Sequence, residues 1–197
     1  DGAGNIRLVM RLDLDHSHSV QGSCDLSRVR DCGDFLSMKR VIFQIDDIGS
    51  THSTIEALQL VPIRPLAVAL QATGPWYDLA ASIVKQDDNL HAGVHITLNC
   101  EWATPTWRAL TGPSTATRGD AVFYETVKEL WEKAAIWDIE REARAQIERV
   151  IESGVQPTHF DDHMGALEGE KFQALRKRLA KNYGILSVHE TLQEYRY

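Results

Sequence analysis

Several features that would place a protein in a class at once are missing from this 197-residue chain. No apolar run comes near the roughly 20 residues that a membrane-spanning helix needs, and the start lacks the charged and apolar regions of a secretory signal. No basic cluster offsets the net charge of −7, which argues against a general nucleic-acid binder. The three cysteines are scattered, without a CxxC pair, which favours a reducing compartment. We therefore expect a cytoplasmic protein with neither nucleic-acid nor membrane partners.

What the chain does contain is a regular alternation of short apolar runs and helical segments. A hydrophobic content of 43% and a charged content of 25% are ordinary for one globular domain with a core. The pattern strand, helix, strand, helix is typical of a parallel α/β fold, which is the fold class we predict. The predicted strands cover residues 41–45, 65–70, 91–98, 157–165 and 185–188, and the predicted helices cover 53–60, 76–85, 125–153 and 170–182.

The first 37 residues differ in composition from the rest of the chain. They contain neither lysine nor glutamate, whereas both are plentiful after Met38, and they show no sustained strand or helix periodicity. Met38 opens a stretch that resembles a natural bacterial start running directly into a strand. We therefore expect residues 1–37 to be a non-native N-terminal extension and residues 38–197 to form the domain. A disordered natural extension is the competing interpretation.

The stretch from Pro157 to Gly165 carries an unusual density of imidazoles and carboxylates. If it is extended, alternate side chains share a face, so His159, Asp161 and His163 point the same way. Burying two imidazoles with a carboxylate is costly unless something compensates them, and a divalent metal is the simplest compensation. A polar strand end with hydrogen-bonded histidines is the alternative.

Two other predicted strands end in residues of the same chemical kind. Asp46 and Asp47 follow the first strand, and His95 lies near the end of the third. A purely structural role for Asp47, N-capping of a helix, would explain one carboxylate but not both. For His95 the structural alternative is a buried imidazole bonded to a backbone carbonyl. Because parallel strands carry their sites at the carboxyl edge, these residues and the Asp161–His163 pair predict a metal site at that edge.

The motifs together resemble the YdjC-like carbohydrate deacetylases, the chitooligosaccharide deacetylase family. The resemblance implies a (β/α) barrel-like fold and a metal-dependent hydrolase that removes N-acetyl groups from sugars. Carried over, it implies that Asp47, His95 and His163 hold one divalent metal, magnesium or zinc, and that Asp46 is the general base. It covers about residues 39–186 and rests on residues 45–49, on 93–98 with Glu101-Trp102, and on 158–165.

Further roles follow for residues beside these motifs. Asp161 is a candidate for orienting a histidine ligand by bonding to the ring nitrogen that does not face the metal. Trp76 and Trp102 are candidates for stacking on sugar rings, with core packing as the alternative. The expected partner is a small carbohydrate substrate, and a homodimer is left open.

The chain also departs from the family pattern. It is a few residues short between His52 and Ile55, and Ile45 replaces the alanine expected before the paired carboxylates. Later strands of the family, including one with a late histidine, have no counterpart, so we expect an incomplete barrel truncated at its C-terminus. Two alternatives to a deacetylase stay open: an inactive metal-binding fragment, and a metal-dependent phosphoester hydrolase, for which Arg64 and Arg108 are the nearby phosphate-binding candidates.

Overall fold

A five-stranded sheet organises the described part of this computed structural model, which comprises residues 10–12, 42–104, 106–191 and 193–195. Every pairing in the sheet is parallel, which confirms the predicted α/β class. In spatial order the strands are β2 (Gln44–Ile48), β3 (Leu66–Leu70), β4 (Leu90–Ile96), β7 (His159–Asp162) and β8 (Leu186–Ser187).

Helices connect these strands, as the alternation in the sequence predicts. Thr51 caps the first helix by accepting a hydrogen bond from the Thr54 amide. Gly184 ends α5 in the left-handed conformation that glycine adopts most easily. The helices are α1 (His52–Leu60), α2 (Tyr77–Val84), α3 (Val127–Lys133), α4 (Ile136–Glu152), α5 (Gln173–Tyr183) and α6 (Val188–Thr191), with 3₁₀ turns at His163–Gly165 and Glu170–Phe172.

The two faces of the sheet differ in chemistry because side chains alternate along each strand. One face is apolar, with Leu70, Val94 and Phe160 in register across β3, β4 and β7 and all three buried. The opposite face carries the polar residues Gln44, Gly93, His95, His159 and Asp161, spread over β2, β4 and β7. The helices therefore have an apolar surface to pack on, and the chemistry-bearing side chains are gathered on the other side.

Element bounds differ from the prediction in a few places. The single helix predicted over 125–153 is two helices, because Ala134 and Ala135 are extended and the Ala135 amide donates to Thr115 Oγ1. The predicted strand 157–165 is observed only from His159 to Asp162, and β8 ends at Ser187 because Val188 begins α6. The first predicted strand, 41–45, is observed from Gln44 to Ile48.

Two small sheets lie apart from the main one. Strands β5 (Thr117–Arg118) and β6 (Val122–Phe123) pair within the long connection after β4. Strand β1 (Met10–Leu12) pairs antiparallel with β9 (Gln193–Tyr195). The extension predicted over residues 1–37 otherwise falls on 1–9 and 13–37, which lie outside the described residues, so it stays a prediction.

Among the described helices, none combines the length and apolar character that crossing a membrane requires.

Candidate metal centre and active site

In a regular strand the neighbouring carboxylates of β2 would point to opposite faces of the sheet, but β2 is irregular at Asp47. The register with β3 shifts between Ile45 and Ile48, and Asp47 has a φ of 60°, in the left-handed region. The Asp47 carbonyl accepts a hydrogen bond from the Ser50 amide, which closes the turn before α1. Asp47 does not cap that helix, since Thr51 does. The two carboxylates are thus available for different tasks.

Asp47, His95 and His163 meet at the carboxyl edge of the sheet. The distances are 3.2 Å from Asp47 Oδ1 to His95 Nε2, 2.9 Å from Asp47 Oδ1 to His163 Nδ1, and 3.3 Å between the two ring nitrogens. Each side chain comes from a separate element, the carboxyl end of β2, the end of β4 and the 3₁₀ turn after β7. These are the three residues that the family resemblance implies as metal ligands.

This triangle fits a divalent metal ion. Metal–ligand bonds of about 2.1 Å place ligand atoms about 3 Å apart when the bond angles are near 90°. Asp47 Oδ1 is buried and makes no hydrogen bond of acceptable geometry, although two ring nitrogens face it. A buried oxygen without a hydrogen bond is rare and calls for an explanation such as an ion. Asp47, His95 and His163 could together hold one ion.

The electrostatics of the trio follow from the carboxylates around two buried imidazoles. Burial alone would lower the pKa of His95, but Asp161 and Asp47 outweigh it and raise that pKa well above 6.5. Burial alone would also lower the pKa of His163, but the neighbouring Asp47 and Glu101 carboxylates more than compensate and raise it. Burial raises the pKa of Asp47, yet the two imidazoles hold it well below its usual range. Without a metal, protons on the histidines balance the carboxylates.

Asp161 contacts His95 at the ring nitrogen that faces away from Asp47. The two residues are register partners across β4 and β7, and Asp161 Oδ1 lies 2.7 Å from His95 Nδ1. That bond directs Nε2 of His95 towards Asp47 and fixes the ring orientation.

Glu101 does the same for His163, a role that the sequence reasoning missed. Both Glu101 oxygens lie 3.0 Å from His163 Nε2, so the ring turns Nδ1 towards Asp47. Asn99 Nδ2 supports the carboxylate at 3.3 Å from Oε2. Glu101 lies within a motif on which the resemblance rests, and that position is the one signal that could have identified it.

Asp46 is buried behind the trio and is held by Gln44, a second missed residue. Gln44 Nε2 donates to Asp46 Oδ1 at 2.7 Å and to Asp161 Oδ2 at 2.6 Å. Burial and the neighbouring Asp161 carboxylate raise the pKa of Asp46 to about 7. A carboxylate with such a pKa can accept a proton near neutral pH.

The other histidines of the motifs stay outside the trio. His159 is buried beside Gly93, where a Cβ atom would lie 2.2 Å from His159 Nε2, and its Nδ1 lies 2.9 Å from Thr158 Oγ1. His91 is exposed on β4. His163 lies just beyond the end of β7, where it begins a 3₁₀ turn, and its ring contacts Nε2 of His95, the same imidazole that Asp161 holds at Nδ1. The backbone turns after Asp162, with Met164 at a φ of 54° and Asp162 Oδ2 accepting from the Leu167 amide.

The predicted sugar-binding tryptophans lie at different places. Trp102 is half-buried and packs on Trp107 at a centroid distance of 5.4 Å, and Trp107 packs edge-on against His163 at 5.1 Å. Trp107 itself is fully buried, so it serves as core. Trp76 is 43% exposed and packs against His52 at the start of α1. Trp102 is thus linked to the trio by one ring, while the ring contact of Trp76 is with α1.

The two arginines considered for phosphate binding are engaged elsewhere. Arg64 bonds to Asp87 and to the carbonyls of Val61 and Ile63, just before β3, at the amino edge of the sheet. Arg108 donates to the carbonyl of Asp120. Neither contact is with the trio, so the geometry does not favour a phosphoester hydrolase.

Most of the chain matches a known protein family. Residues 40–196 match the family model described as YdjC-like protein. A "Carbohydrate deacetylase" of Thermus thermophilus is 34% identical over 154 residues, which are 78% of this chain and 54% of that protein. A "Carbohydrate deacetylase" of Listeria monocytogenes serotype 4b is 29% identical over 153 residues, 74% of this chain and 59% of that protein. The chain thus spans between half and two thirds of these relatives.

A solved structure supports the fold. The crystal structure of an Enterococcus faecalis protein, provisionally assigned to cellobiose-phosphate cleavage, matches with a TM-score of 0.61. The match covers 74% of this chain and 57% of that one at 24% sequence identity. At this level of identity the likeness establishes the fold alone.

Proposed function

The chain belongs to the YdjC-like protein family, and from that premise we propose that it is a metal-dependent hydrolase that removes N-acetyl groups from an amino sugar or oligosaccharide. The observation that carries the proposal is the triangle of Asp47, His95 and His163 with Asp46 beside it. The relatives named carbohydrate deacetylase support the reaction class. Hydrolysis of the amide joins a water oxygen to the acyl carbon and breaks the carbon–nitrogen bond, which yields acetate and a free amine.

Asp47, His95 and His163 would hold the metal, and magnesium, manganese and zinc are the candidates. When bound, such an ion acts as a Lewis acid on the amide carbonyl and on the attacking water. Asp161 and Glu101 keep the two imidazoles turned so that His95 Nε2 and His163 Nδ1 face Asp47. The ligand atoms are therefore oriented by bonds within the protein before any ion arrives.

Asp46 would take the proton from the attacking water. Its pKa of about 7 means that, near neutral pH, a substantial fraction is ionised while the carboxylate remains basic enough to accept a proton. Gln44 fixes one of its oxygens, so the carboxylate does not swing towards the ligand trio. Trp102, next to the buried Trp107, would stack on a sugar ring at the edge of the site. Trp76, exposed on another loop, is the second candidate for sugar contact.

A second candidate function is metal binding without turnover, for which the trio of Asp47, His95 and His163 alone would suffice. We further propose a cytoplasmic location, a small carbohydrate as the partner, and a homodimer as the assembly to test by light scattering.

The test combines metal binding with two assays. The metal-free chain is titrated with Zn²⁺, Mn²⁺ and Mg²⁺, and acetate release from diacetylchitobiose is compared with cleavage of p-nitrophenyl phosphate. Metal binding with acetate release supports a deacetylase, and metal binding without either activity supports the second candidate, metal binding without turnover. Phosphate ester cleavage alone would overturn the proposal, as would a chain that binds none of the ions.

Variants identify the ligands in the same titration. Alanine at Asp47, His95 or His163 should abolish tight binding, because each removes one corner of the triangle. His91→Ala is the matched control, since it removes an exposed imidazole from the same strand as His95. Loss of metal in His159→Ala together with retention in His163→Ala would show that the wrong imidazole has been chosen.

A further inference from the structure

Gln44 is a neutral side chain buried between two carboxylates. It is 2% exposed, and one NH₂ group donates both of its hydrogens, to Asp46 Oδ1 at 2.7 Å and to Asp161 Oδ2 at 2.6 Å. Asp46 lies two residues further along β2, whereas Asp161 lies on β7, 117 residues away in sequence. These short bonds join two strands that are not neighbours in the sheet.

The two carboxylates belong to different parts of the proposed site. Asp46 is the proposed base, and in the part of the chain that the structure describes Gln44 supplies the hydrogen bond that its side chain receives. Asp161 uses its second oxygen, Oδ1, to hold His95 Nδ1 at 2.7 Å. A continuous series of bonds therefore runs from Asp46 through Gln44 and Asp161 to the ring that presents Nε2 to Asp47.

The chemistry of an amide suits this position. Lysine or arginine would form ion pairs with the carboxylates and make Asp46 a weaker base, and glutamate would add a third negative charge. An amide donates twice without carrying charge. Its own oxygen, Oε1, is buried without a hydrogen bond among the described residues. The protein thus leaves one buried acceptor unsatisfied at this position, and such exceptions in a buried polar cluster point to a functional constraint.

We propose that Gln44 is a positioning residue that clamps Asp46 and Asp161 together, so that the base and the orientation of His95 are fixed by one side chain. The inference rests on the proposed function, because it assigns Gln44 to that same site. Its two consequences are that metal affinity depends on Gln44 through Asp161 and His95, and that turnover depends on it through Asp46.

Gln44→Met tests the clamp because methionine has a similar length and no donor. The apparent Kd for Zn²⁺, measured by calorimetry on the full chain, should rise about tenfold, the lower end of the range for residues behind metal ligands. In the metal-free, ¹⁵N-labelled chain, the His95 Nδ1–H signal, assigned by its absence in His95→Ala, should shift and exchange faster with water. Where acetate release is measurable, kcat should fall at least tenfold with KM unchanged.

Gln44→Asn provides the graded comparison. It keeps the amide but is one methylene shorter, so it can reach one carboxylate but not both. Its Zn²⁺ affinity should therefore lie between that of the parent chain and that of Gln44→Met. If Gln44→Met fails to fold, Gln44→Asn carries the test through the same two measurements. Gln146→Met is the stability control, since it removes a buried amide that bonds to the Thr97 carbonyl and Glu142. It should lower the melting temperature and leave Zn²⁺ affinity within twofold.

The outcomes separate this inference from the proposed function. An unchanged His95 signal and unchanged Zn²⁺ affinity in Gln44→Met, with a parent chain that binds Zn²⁺, overturn the clamp and leave the proposed function standing. A parent that binds no metal overturns the proposed function. The His95 signal then decides on the clamp alone, which is supported by a shift and refuted by its absence. An equal loss of affinity in Gln146→Met would show a general loss of stability, and the clamp would be rejected.

Discussion

Asp46 and Asp47 show how adjacent residues of one type acquire opposite properties. Burial and the Asp161 carboxylate raise the pKa of Asp46 to about 7. Burial acts on Asp47 in the same sense, but two imidazoles more than offset it and hold its pKa well below the usual range. Regular alternation along β2 would aim Asp47 at the face opposite to Asp46, but its left-handed conformation breaks that alternation, and Asp47 lies beside His95 and His163. One carboxylate therefore stays basic and the other stays ionised.

Asparagine at each position should separate the two roles. Asp46→Asn removes the proposed base while keeping shape, so kcat for acetate release should fall by about 10²- to 10⁴-fold with metal retained. Asp47→Asn should lose metal and activity together. Asparagine tolerates a positive φ, so the fold should survive. Acetate assays, metal analysis and circular dichroism check these outcomes, and near-full turnover in Asp46→Asn would assign the base to another group, with Asp161 the next to test.

Glu101 should matter for metal affinity through His163. Glu101→Ala removes the partner that holds Nε2, so the ring gains freedom and the Kd for Zn²⁺ should rise about 10- to 100-fold, the range typical of carboxylates behind a histidine ligand. Glu101→Gln keeps an acceptor oxygen and should recover most of the affinity. Calorimetry on the two variants provides the check. Equal losses in both would show that the charge of Glu101 acts on the ion directly, without positioning His163.

The three proposed ligands and Asp161 were named from the sequence, whereas Glu101 and Gln44, which hold His163 and Asp46, were not. Asp47, His95 and His163 lie together because each stands at or just after the carboxyl end of a strand of one parallel sheet, and the family resemblance selected these three among the acids and histidines there. Gln44 lies inside a predicted apolar strand, where a single glutamine gives no pattern. Its role depends on Asp161, 117 residues away, and only the folded chain brings the two together.

At the scale of elements, the site depends on how closely β4 and β7 pair. Gly93 and His159 are register partners, and the absence of a side chain on Gly93 makes the room that the His159 ring fills. Two positions along, the same pairing puts His95 beside Asp161. A change in strand spacing at the Gly93–His159 pair should therefore also displace His95 relative to Asp161. Gly93 thus supports the site without containing any reactive atom.

Gly93→Ala tests this pairing. The added Cβ would lie 2.2 Å from His159 Nε2, so the strands must separate or the ring must move. Overpacking of this kind should lower the free energy of unfolding by about 1–3 kcal/mol, and Zn²⁺ affinity should fall with it. His159→Ala in the same chain removes the clash and should restore part of both losses. Urea denaturation and calorimetry measure the effect, and a double variant that is no more stable than Gly93→Ala would refute this account.

The elements themselves were predicted well where local pattern and tertiary structure agree. All five predicted strands lie in the sheet, since apolar strands buried by helices are recognisable in sequence. The division of the helical region at Ala134 and Ala135 was missed because alanine is the best helix former. The hydrogen bond from the Ala135 amide to Thr115 is a contact between distant parts of the chain, and it overrides that preference.

At the scale of the whole molecule, the chain contains a buried cluster of acidic and imidazole side chains. It spans 54% and 59% of the two relatives. Such a cluster is costly without a counterion, and protons or a metal can supply the positive charge. Stability should therefore depend on both pH and metal, in opposite ways.

The metal-free chain should lose stability as the pH rises from about 5 to 8. Asp46 has a pKa of about 7 when folded and 3.8 as its ordinary value, so the folded state holds the proton more tightly and loses this advantage between those values. The pKa values of His95 and His163 are raised above 6.5, so their contribution is present below 6.5 and fades as the pH rises further. Asp47 acts the other way, but only in strong acid, because its folded pKa is depressed.

A bound metal should reverse this trend, because it requires deprotonated imidazoles and an ionised Asp47 and so binds more tightly at higher pH. The stabilisation by ligand grows with its affinity. The difference in melting temperature between the Zn²⁺-loaded and the metal-free chain should thus widen from about pH 5.5 to pH 8. Calorimetric scans of both forms across that range measure it, with His163→Ala as the control in which the difference stays small at every pH. A difference that is constant with pH in the parent chain would mean that the ion binds away from these histidines.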